Sequence, residues 1–227
     1  MIVAIQQPEH LPWIGFFNKM TKVDLYIYLD NVQFKKRYFE NRNKIIAYND
    51  EGWDWITVPV NTKGKFTQKI NEVLIDQEEE WSDKYLNRIK SAYGKKLFFR
   101  EFFPVIESII QKKESKLVDL NIALIEAVRD YLDISTPTKF ASEILEGKGS
   151  DLILDLSVAS KADVYVSGPD GRNYLELDKF KDVGIQVEYH DYVHPEYDQH
   201  TQPFISHMSV IDLIFNYGKK SIDIIRG

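Results

Sequence analysis

The chain has 227 residues, 44% of them hydrophobic and 28% charged, which suits one large folded domain or one domain with a substantial insertion. Its net charge of −6 argues against nonspecific nucleic-acid binding, because that needs a basic face. The absence of cysteine excludes disulfides, a cysteine nucleophile and cysteine-ligated metals, and it fits a reducing, cytoplasmic setting. We expect no signal peptide and no membrane span, so any contact with a membrane would be peripheral.

The first thirty residues predict a βαβ unit. Ile2–Ile5 is a short apolar run typical of a buried parallel strand. Pro12 suits the first turn of a helix over Trp13–Thr21, because proline lacks the N–H that the first turn leaves unpaired. Asp24–Leu29 is rich in β-forming residues and predicts the second strand. Such units are normally parallel and right-handed.

The middle of the chain predicts a β-hairpin insertion over residues 41–76 and a helical block over residues 79–133. The hairpin strands are expected at Lys44–Ala47 and Trp53–Val58, around a polar turn, with Ile70–Ile75 as an extension. Apolar spacing indicates three helices in the block. These helices are predicted at Glu79–Tyr93, Phe98–Lys112 and Lys116–Leu132.

Strands and helices alternate again towards the C-terminus. We predict strands at Thr138–Ala141, Ala162–Val166 and Ile185–Tyr189, and helices at Asp151–Ser160 and Ser209–Tyr217. Alternation at both ends favours an α/β fold, an open and mostly parallel Rossmann-like sheet covered by helices. The prediction is one domain over residues 1–227.

Ligands of open α/β sheets bind beyond the carboxyl ends of strands, so the segments after predicted strands are the candidate sites. The first is residues 6–15, where two prolines, a tryptophan and a glycine crowd one turn. Gln7 and Trp13 are expected to contact substrate there. His10 is a candidate general base, because only histidine titrates unperturbed near neutral pH.

The second candidate site follows the second strand, at residues 30–43. Arg42 would clamp a phosphate through two hydrogen bonds, and Asp30 would bind a sugar hydroxyl or amine or act as a base. Gln33 and Asn41 are expected substrate contacts, because polar residues at strand ends need partners. The charge run at residues 35–37 is predicted to be a solvated loop.

The third and fourth candidate sites lie in the last third of the chain. Ser167 lacks the Gly-x-Ser-x-Gly pattern of a nucleophile elbow, so it and Tyr174 are predicted to bind substrate. Four of the five histidines fall within residues 190–207, but Pro195 and the missing His-Glu-x-x-His spacing argue against a metal site. The residues predicted to contact substrate there are His194, Tyr197 and Gln199. His194 is the alternative to His10 as general base.

Five segments, taken together and in this order, resemble the WbqC-like family: QPEHLPWIGFFNKM, DNVQFKKRYFENRN, VYVSGPDGRNYL, HPEYDQ and SVIDLIFNYG. The resemblance covers about Ile2 to Gly218. The sequence departs from the family pattern at His10, where tyrosine is usual, and at Leu152, which stands where arginine is more frequent.

The resemblance implies a role in biosynthesis of O-antigen and related surface polysaccharides. It suggests a nucleotide-linked sugar as substrate, often an amino sugar. The leading hypothesis is transfer of an acyl or aminoacyl group to the sugar amine, with no intrinsic cofactor and the donor carried by coenzyme A or an acyl carrier protein. The alternatives are nucleotidyl or glycosyl transfer, and a noncatalytic binding or scaffold protein. The composition is compatible with a homodimer.

Overall fold

A five-stranded parallel sheet forms the centre of the computed structural model, which describes residues 1–77, 80–201 and 203–227. In chain order the strands are β1 (Ile2–Gln6), β2 (Leu25–Tyr28), β3 (Arg42–Ile46), β4 (Trp53–Thr57), β5 (Thr138–Phe140), β6 (Val164–Ser167) and β7 (Gln186–Tyr189). The central sheet has the order β5-β2-β1-β6-β7, and all its neighbours are parallel. The predicted α/β class with an open, parallel Rossmann-like sheet is confirmed.

Eight α-helices surround this sheet in the described residues. They are α1 (Ile14–Thr21), α2 (Trp81–Tyr93), α3 (Phe99–Gln111), α4 (Leu117–Tyr131), α5 (Gly149–Ala159), α6 (Leu177–Asp182), α7 (Val210–Tyr217) and α8 (Ser221–Arg226). None of them combines the length and the apolar character that crossing a bilayer would require.

Both faces of the central strands are buried, as expected for a parallel sheet. Alternate residues of β2 point to opposite sides: Tyr26 and Tyr28 join the large apolar cluster with α1, α2, α3, α4 and α7. Leu25 and Ile27 join a smaller cluster formed with α5 and α6. The two-residue period of the strand therefore divides its side chains between two helical layers.

The hairpin β3–β4 is an antiparallel pair in register from Arg42 opposite Thr57 to Ile46 opposite Trp53. The prediction that Ile70–Ile75 extends this ladder is wrong. Residues Ile70–Glu72 form a 3₁₀ turn, and only isolated bridges connect this segment, including Val60 with Ile75 and Gln33 with Lys69. Ile70, Val73 and Ile75 are buried because they pack against the core beside α4, not because they pair as a strand.

Most predicted helix ends lie within one or two residues of the observed ends. The predicted start at Glu79 lies outside the described residues, and α2 begins at Trp81. Ser209 caps α7 by accepting a hydrogen bond from the Ile211 amide, and Gly218 ends it with φ +59°. The short helices α6 and α8 were not predicted. A single domain over residues 1–227 stays a prediction.

Candidate functional site

A cavity of about 780 Å³ lies beyond the carboxyl ends of the strands. The chain runs from β1 to β2 and on to β5 on one side of β1, and later returns to place β6 and β7 on the other side. This reversal is the topological switch point, where open α/β sheets bind ligands. The loops after β1, β2, β6 and β7 and the helices α1 and α5 all contribute to the cavity wall.

A hydrogen-bonded chain of three side chains lies in the cavity wall. The Lys19 ammonium donates to the Gln6 side-chain oxygen at 2.6 Å, and the Gln6 amide nitrogen donates to Glu9 Oε1 at 3.1 Å. The second carboxylate oxygen of Glu9 is buried and has no hydrogen-bond partner. This part of the cavity wall therefore holds a lysine ammonium, a glutamate carboxyl and an unused acceptor oxygen, with Gln6 linking the two charged side chains.

Burial shifts the pKa values of both charged groups towards neutrality. Desolvation raises the pKa of Glu9 to about 7, while the Gln6 hydrogen bond and the Lys19 charge oppose this shift. Desolvation lowers the pKa of Lys19 to about 8, and the Glu9 charge opposes that shift. Two groups that titrate near pH 7 are suited to general acid–base chemistry, and perturbed groups in a cleft are characteristic of functional sites.

The position of Lys19 follows from α1. Lys19 lies one turn after Gly15 and Phe16, which also line the cavity, so the helical period directs its side chain towards the strand ends. Only 5% of Lys19 is exposed. Its ammonium donates to Gln6 at the end of β1 and also lies close to Gly168 after β6, 3.5 Å from the position that a Cβ atom on this glycine would take. Lys19 therefore lies between the ends of β1 and β6. A lysine among buried apolar neighbours was the available sequence signal, and the predicted residues did not include it.

Glu40 is a second buried carboxyl close to Glu9. Only 1% of Glu40 is exposed, and both its carboxylate oxygens are buried without a well-formed hydrogen bond, although the backbone amides of Glu40 and Lys35 lie nearby. Desolvation raises its pKa to about 7, opposed by the nearby Lys35 charge and by backbone amides. The loops carrying the two carboxyls are joined by Asn121, whose amide donates to the Pro8 and Glu40 carbonyl oxygens. Glu9 and Glu40 were not among the predicted site residues.

His10, one candidate base, is fully buried and does not line the cavity. Its Nδ1–H donates to Asn121 Oδ1 at 2.9 Å, and its Nε2 accepts from the Tyr85 hydroxyl at 2.6 Å. Desolvation lowers its pKa to about 4. This geometry makes His10 a neutral structural residue that ties the loop after β1 to α2 and α4, and it gives no support to a role as base.

Asp30, the second candidate for a catalytic role, also makes its hydrogen bonds within the protein. Its carboxylate accepts hydrogen bonds from the Ser142 amide at 3.0 Å, the Ser142 hydroxyl at 2.6 Å and the Asn71 amide at 3.2 Å. Asp30 is 3% exposed and lies outside the cavity lining. It joins the end of β2 to the segment after β5 and to the 3₁₀ turn at Ile70–Glu72.

Tyr197 and Gln199 are buried and bind Asp212 of α7. The Tyr197 hydroxyl donates to Asp212 Oδ2 at 2.8 Å, and the Gln199 amide donates to the same oxygen at 3.0 Å. Burial raises the pKa of Asp212, and these two donors and Lys96 oppose the shift. The loop before α7 is thereby held in place. Neither predicted contact residue lines the cavity.

Trp13 lines the cavity as predicted, within a cluster of rings. Its indole stacks on His207 at 4.9 Å and lies parallel to His194 at 6.0 Å, measured between ring centroids. A Cβ on Gly15 would lie 2.2 Å from the indole, so the close approach of Trp13 to α1 requires glycine. His194 donates from Nδ1 to the Pro195 carbonyl and has a buried, unpartnered Nε2, but it does not line the cavity.

The predicted binding residues after β2 lie outside the cavity wall. Gln33 donates to the Phe66 carbonyl oxygen, and Asn41 donates to the Val58 carbonyl oxygen. The Arg42 guanidinium lies 3.9 Å from the centroid of the Trp55 ring, on the outer face of the hairpin. The phosphate contact expected of Arg42 is therefore not part of this cavity.

The remaining predicted residues lie at or beside the cavity. Gln7 and Tyr174 line it. Ser167, at the end of β6, donates its hydroxyl to the Gly168 carbonyl oxygen and lies against Gly171. Of the twelve predicted residues, the structure thus brings Gln7, Trp13 and Tyr174 together in one wall. No group of three or more metal-ligating side chains occurs in the described part of the chain.

A parallel sheet with a cavity of about 780 Å³ at its switch point defines a Rossmann-like α/β protein. The chain belongs to the WbqC-like protein family, whose sequence profile matches residues 7–224. It is similar to a protein of Mycobacterium tuberculosis described as "Uncharacterized protein Rv1507c", with 35% identity over 228 aligned positions, covering 99% of this chain and 97% of the relative. No solved structure matches the chain.

Proposed function

We propose that the chain is an enzyme of surface-polysaccharide biosynthesis that transfers an acyl or aminoacyl group to the amine of a nucleotide-linked sugar. The observation that carries this proposal is the pair Glu9 and Lys19, two buried ionisable groups with pKa values near 7 and 8 in one cavity at the switch point. The family membership supports the polysaccharide pathway, and the pair supports chemistry that moves a proton.

The cavity suits a substrate of this size and charge. About 780 Å³ falls within the range of roughly 300–1,000 Å³ typical of small-molecule sites. Gly149 at the start of α5 and the turn Gly168–Gly171 border it, and helix N-termini attract phosphate through their backbone N–H groups. We place the diphosphate at this border and the sugar amine next to Glu9.

In the proposed reaction the neutral sugar amine attacks the carbonyl carbon of an acyl thioester. The new C–N bond forms, the C–S bond breaks, and the thiol leaves with a proton. Glu9 in its carboxylate form takes the proton that the amine nitrogen loses and then gives it to the departing thiolate, which regenerates the carboxylate. The Lys19 ammonium is positioned to stabilise the negative charge that develops on the carbonyl oxygen. With no cysteine in the chain, the acyl group is carried by coenzyme A or by a carrier protein.

The test begins with binding. Thermal unfolding is measured with nucleotide-linked sugars that carry a free amine, with the matching N-acetylated sugars, and with coenzyme A. A ligand that binds the folded state raises the unfolding temperature by mass action. We expect the free-amine sugars to raise it most. The absence of a shift with any nucleotide sugar would reject this substrate class and favour the scaffold alternative.

The second stage measures transfer. Nucleotide-linked amino sugars are incubated with a panel of acyl and aminoacyl thioesters of coenzyme A, and products are read by mass. Glu9→Gln is expected to keep sugar binding and to lose about 10²–10⁴-fold in rate, because the proton acceptor is gone. Glu143→Gln, at an exposed carboxyl outside the cavity, is the matched control. A nucleotidyl or glycosyl product in place of the acylated sugar would reject the reaction while keeping the site.

A further inference from the structure

One basic and aromatic surface lies beside the cavity mouth and takes no part in the chemistry proposed above. We call it the hairpin face: the loop of residues 35–39 with the outer face of the hairpin β3–β4. Residues 35–44 contain five cations, Lys35, Lys36, Arg37, Arg42 and Lys44, against one acid, the buried Glu40. The whole chain carries −6, so this concentration of positive charge is local.

Aromatic rings hold two of these cations in place. The Arg42 guanidinium lies 3.9 Å from the Trp55 centroid, and the Lys44 ammonium lies 4.2 Å from the Trp53 centroid. Residues two apart on a strand point to the same face, so Arg42 and Lys44 form a short row. Cation–π contact orients a charge without neutralising it. The charges of this row remain available to an anionic partner.

The loop of residues 35–39 continues this surface to the cavity mouth. Phe39 contacts the Trp55 ring at 5.9 Å and lines the cavity, as do Lys35 and Tyr38. The Lys35 ammonium lies 5.2 Å from the Tyr38 ring centroid, and Tyr38 is 42% exposed. No ion pair joins any of the five cations to an acid in residues 1–77, 80–201 and 203–227.

An exposed phenylalanine stands next to this loop. Phe66 is 84% exposed, and its carbonyl oxygen accepts a hydrogen bond from the Gln33 side chain, two residues before Lys35. Water-exposed phenylalanine gains little in a soluble monomer, but together with Trp, Tyr and basic residues it is typical of surfaces that enter the headgroup region of a bilayer.

We infer that the hairpin face docks the protein on an anionic phospholipid surface. The five cations, none of which forms a salt bridge within the described residues, argue for an anionic partner, and the exposed aromatic residues argue for a lipid surface over an acidic protein. Docking in this way turns the cavity mouth, which the same loop lines, towards the bilayer. The inference does not depend on the reaction proposed above.

The test is vesicle co-sedimentation of the full chain with phosphatidylcholine vesicles, with and without phosphatidylglycerol. We expect association only with the anionic vesicles and its loss as salt is raised. The triple variant Lys35→Glu, Lys36→Glu, Arg37→Glu should bind more weakly by at least about a hundredfold, because losing each cation near such a surface costs about fivefold and the three new carboxylates add repulsion. Phe66→Ser should weaken binding without changing the salt dependence.

The matched control is the triple variant Lys161→Glu, Lys181→Glu, Lys220→Glu, which changes the net charge equally at exposed positions away from the hairpin face. Vesicle binding by this control at the wild-type level supports a local docking surface. Equal loss in both triple variants would overturn the inference, because net charge alone would then explain binding. It would also be overturned by binding to a soluble polyanion such as heparin without binding to anionic vesicles.

Discussion

Buried ionisable side chains of this protein differ in what they contact. His10 and Asp30 are saturated by hydrogen bonds from the protein, and their partners come from distant parts of the chain. Glu9 and Lys19 instead line the cavity, and Glu9 keeps an unpaired buried oxygen. A saturated group contributes to the fold, whereas an unsaturated group beside a cavity has capacity left for a ligand.

His10→Ala is predicted to lower stability without removing the cavity chemistry. The substitution leaves the Asn121 oxygen and the Tyr85 hydroxyl without a partner and opens a void in a fully buried site. We expect a loss of about 2–4 kcal/mol in the free energy of unfolding, measured by urea denaturation at pH 7. Transfer activity per folded molecule should stay within a few-fold of wild type. A much larger loss of activity in protein that remains folded would restore His10 as a catalytic residue.

His10→Ala should also change how the free energy of unfolding depends on pH. The folded pKa of His10 is about 4 and its ordinary value is 6.5, so the unfolded chain takes up a proton first as the pH falls. This side chain therefore favours folding above pH 6.5, and its contribution is lost as the pH falls from 6.5 to 4. The unfolding free energy of His10→Ala should change less across that window than the wild-type value does.

The sequence predicts which segments reach the cavity more reliably than which of their residues line it. Five of residues 6–15 line the cavity, Glu9 among them, but the intrinsic pKa of histidine favours His10 as the predicted base, and His10 does not line it. Whether a side chain faces a cavity or Asn121, 111 residues away, depends on packing that local sequence does not encode. A histidine titrates near neutrality only when solvent reaches it, whereas a carboxyl can be brought there by burial.

At the scale of elements, the approach of the loop after β1 to α1 depends on one small residue. Trp13 packs directly over Gly15, at the first turn of α1. Gly15→Ala is predicted to destabilise the protein by about 1–3 kcal/mol and to weaken nucleotide-sugar binding, because the indole must move. The result is diagnostic, since glycine to alanine within a helix ordinarily stabilises by up to about 1 kcal/mol.

Gly168→Ala is the matched control for this prediction. It makes the same substitution in the wall of the same cavity, at a position without positive φ, and its nearest neighbour is the flexible end of Lys19 at 3.5 Å. Its unfolding free energy should lie within about 0.5 kcal/mol of wild type, as for substitutions that disturb no packed feature. If both glycine variants lose stability equally, the contact between Trp13 and Gly15 is not the cause.

Helices and strands could be predicted where a single local sequence feature determines them. Apolar runs gave the parallel strands, and Ser209 and Gly218 marked both ends of α7. The segment Ile70–Ile75 contains three β-branched residues, which favour a strand, but packing on α4 determines its shape. The short helices α6 and α8 span six residues each, too few for a periodic signal.

In the core of the molecule, buried polar groups such as His10 and Asp30 have hydrogen-bond partners. In and beside the cavity wall, buried carboxylate oxygens of Glu9 and Glu40 lack well-formed hydrogen bonds, which lowers the stability of the protein. Two apolar clusters enclose the sheet, while the switch point holds Glu9, Lys19 and Glu40 in a desolvated environment. Buried ionisable groups reduce stability unless fully paired. These groups lie at the edge where open α/β sheets bind ligands. We expect this arrangement when a protein keeps groups that its activity needs although they lower its stability.

The double variant Glu9→Gln, Lys19→Met is therefore predicted to be inactive and more stable than wild type, by about 1–3 kcal/mol. The desolvation of Glu9 reduces stability above pH 7 and ceases to do so as the pH falls to 4.5, where its carboxyl is protonated in both states. The desolvation of Lys19 reduces stability below pH 8 and ceases to do so above 10.5. Both effects are present between pH 7 and pH 8, so urea denaturation in that window should show the largest gain.

The exposed pair Glu143→Gln, Lys161→Met is the control, with an expected change within about 0.5 kcal/mol. Each single cavity variant should gain less than half of the double-variant effect, because each leaves the other charge without its partner. A double variant less stable than wild type would mean that the attraction between Glu9 and Lys19 outweighs their desolvation. The pair would then be a structural ion pair bridged by Gln6, and the argument that it is retained for catalysis would fail.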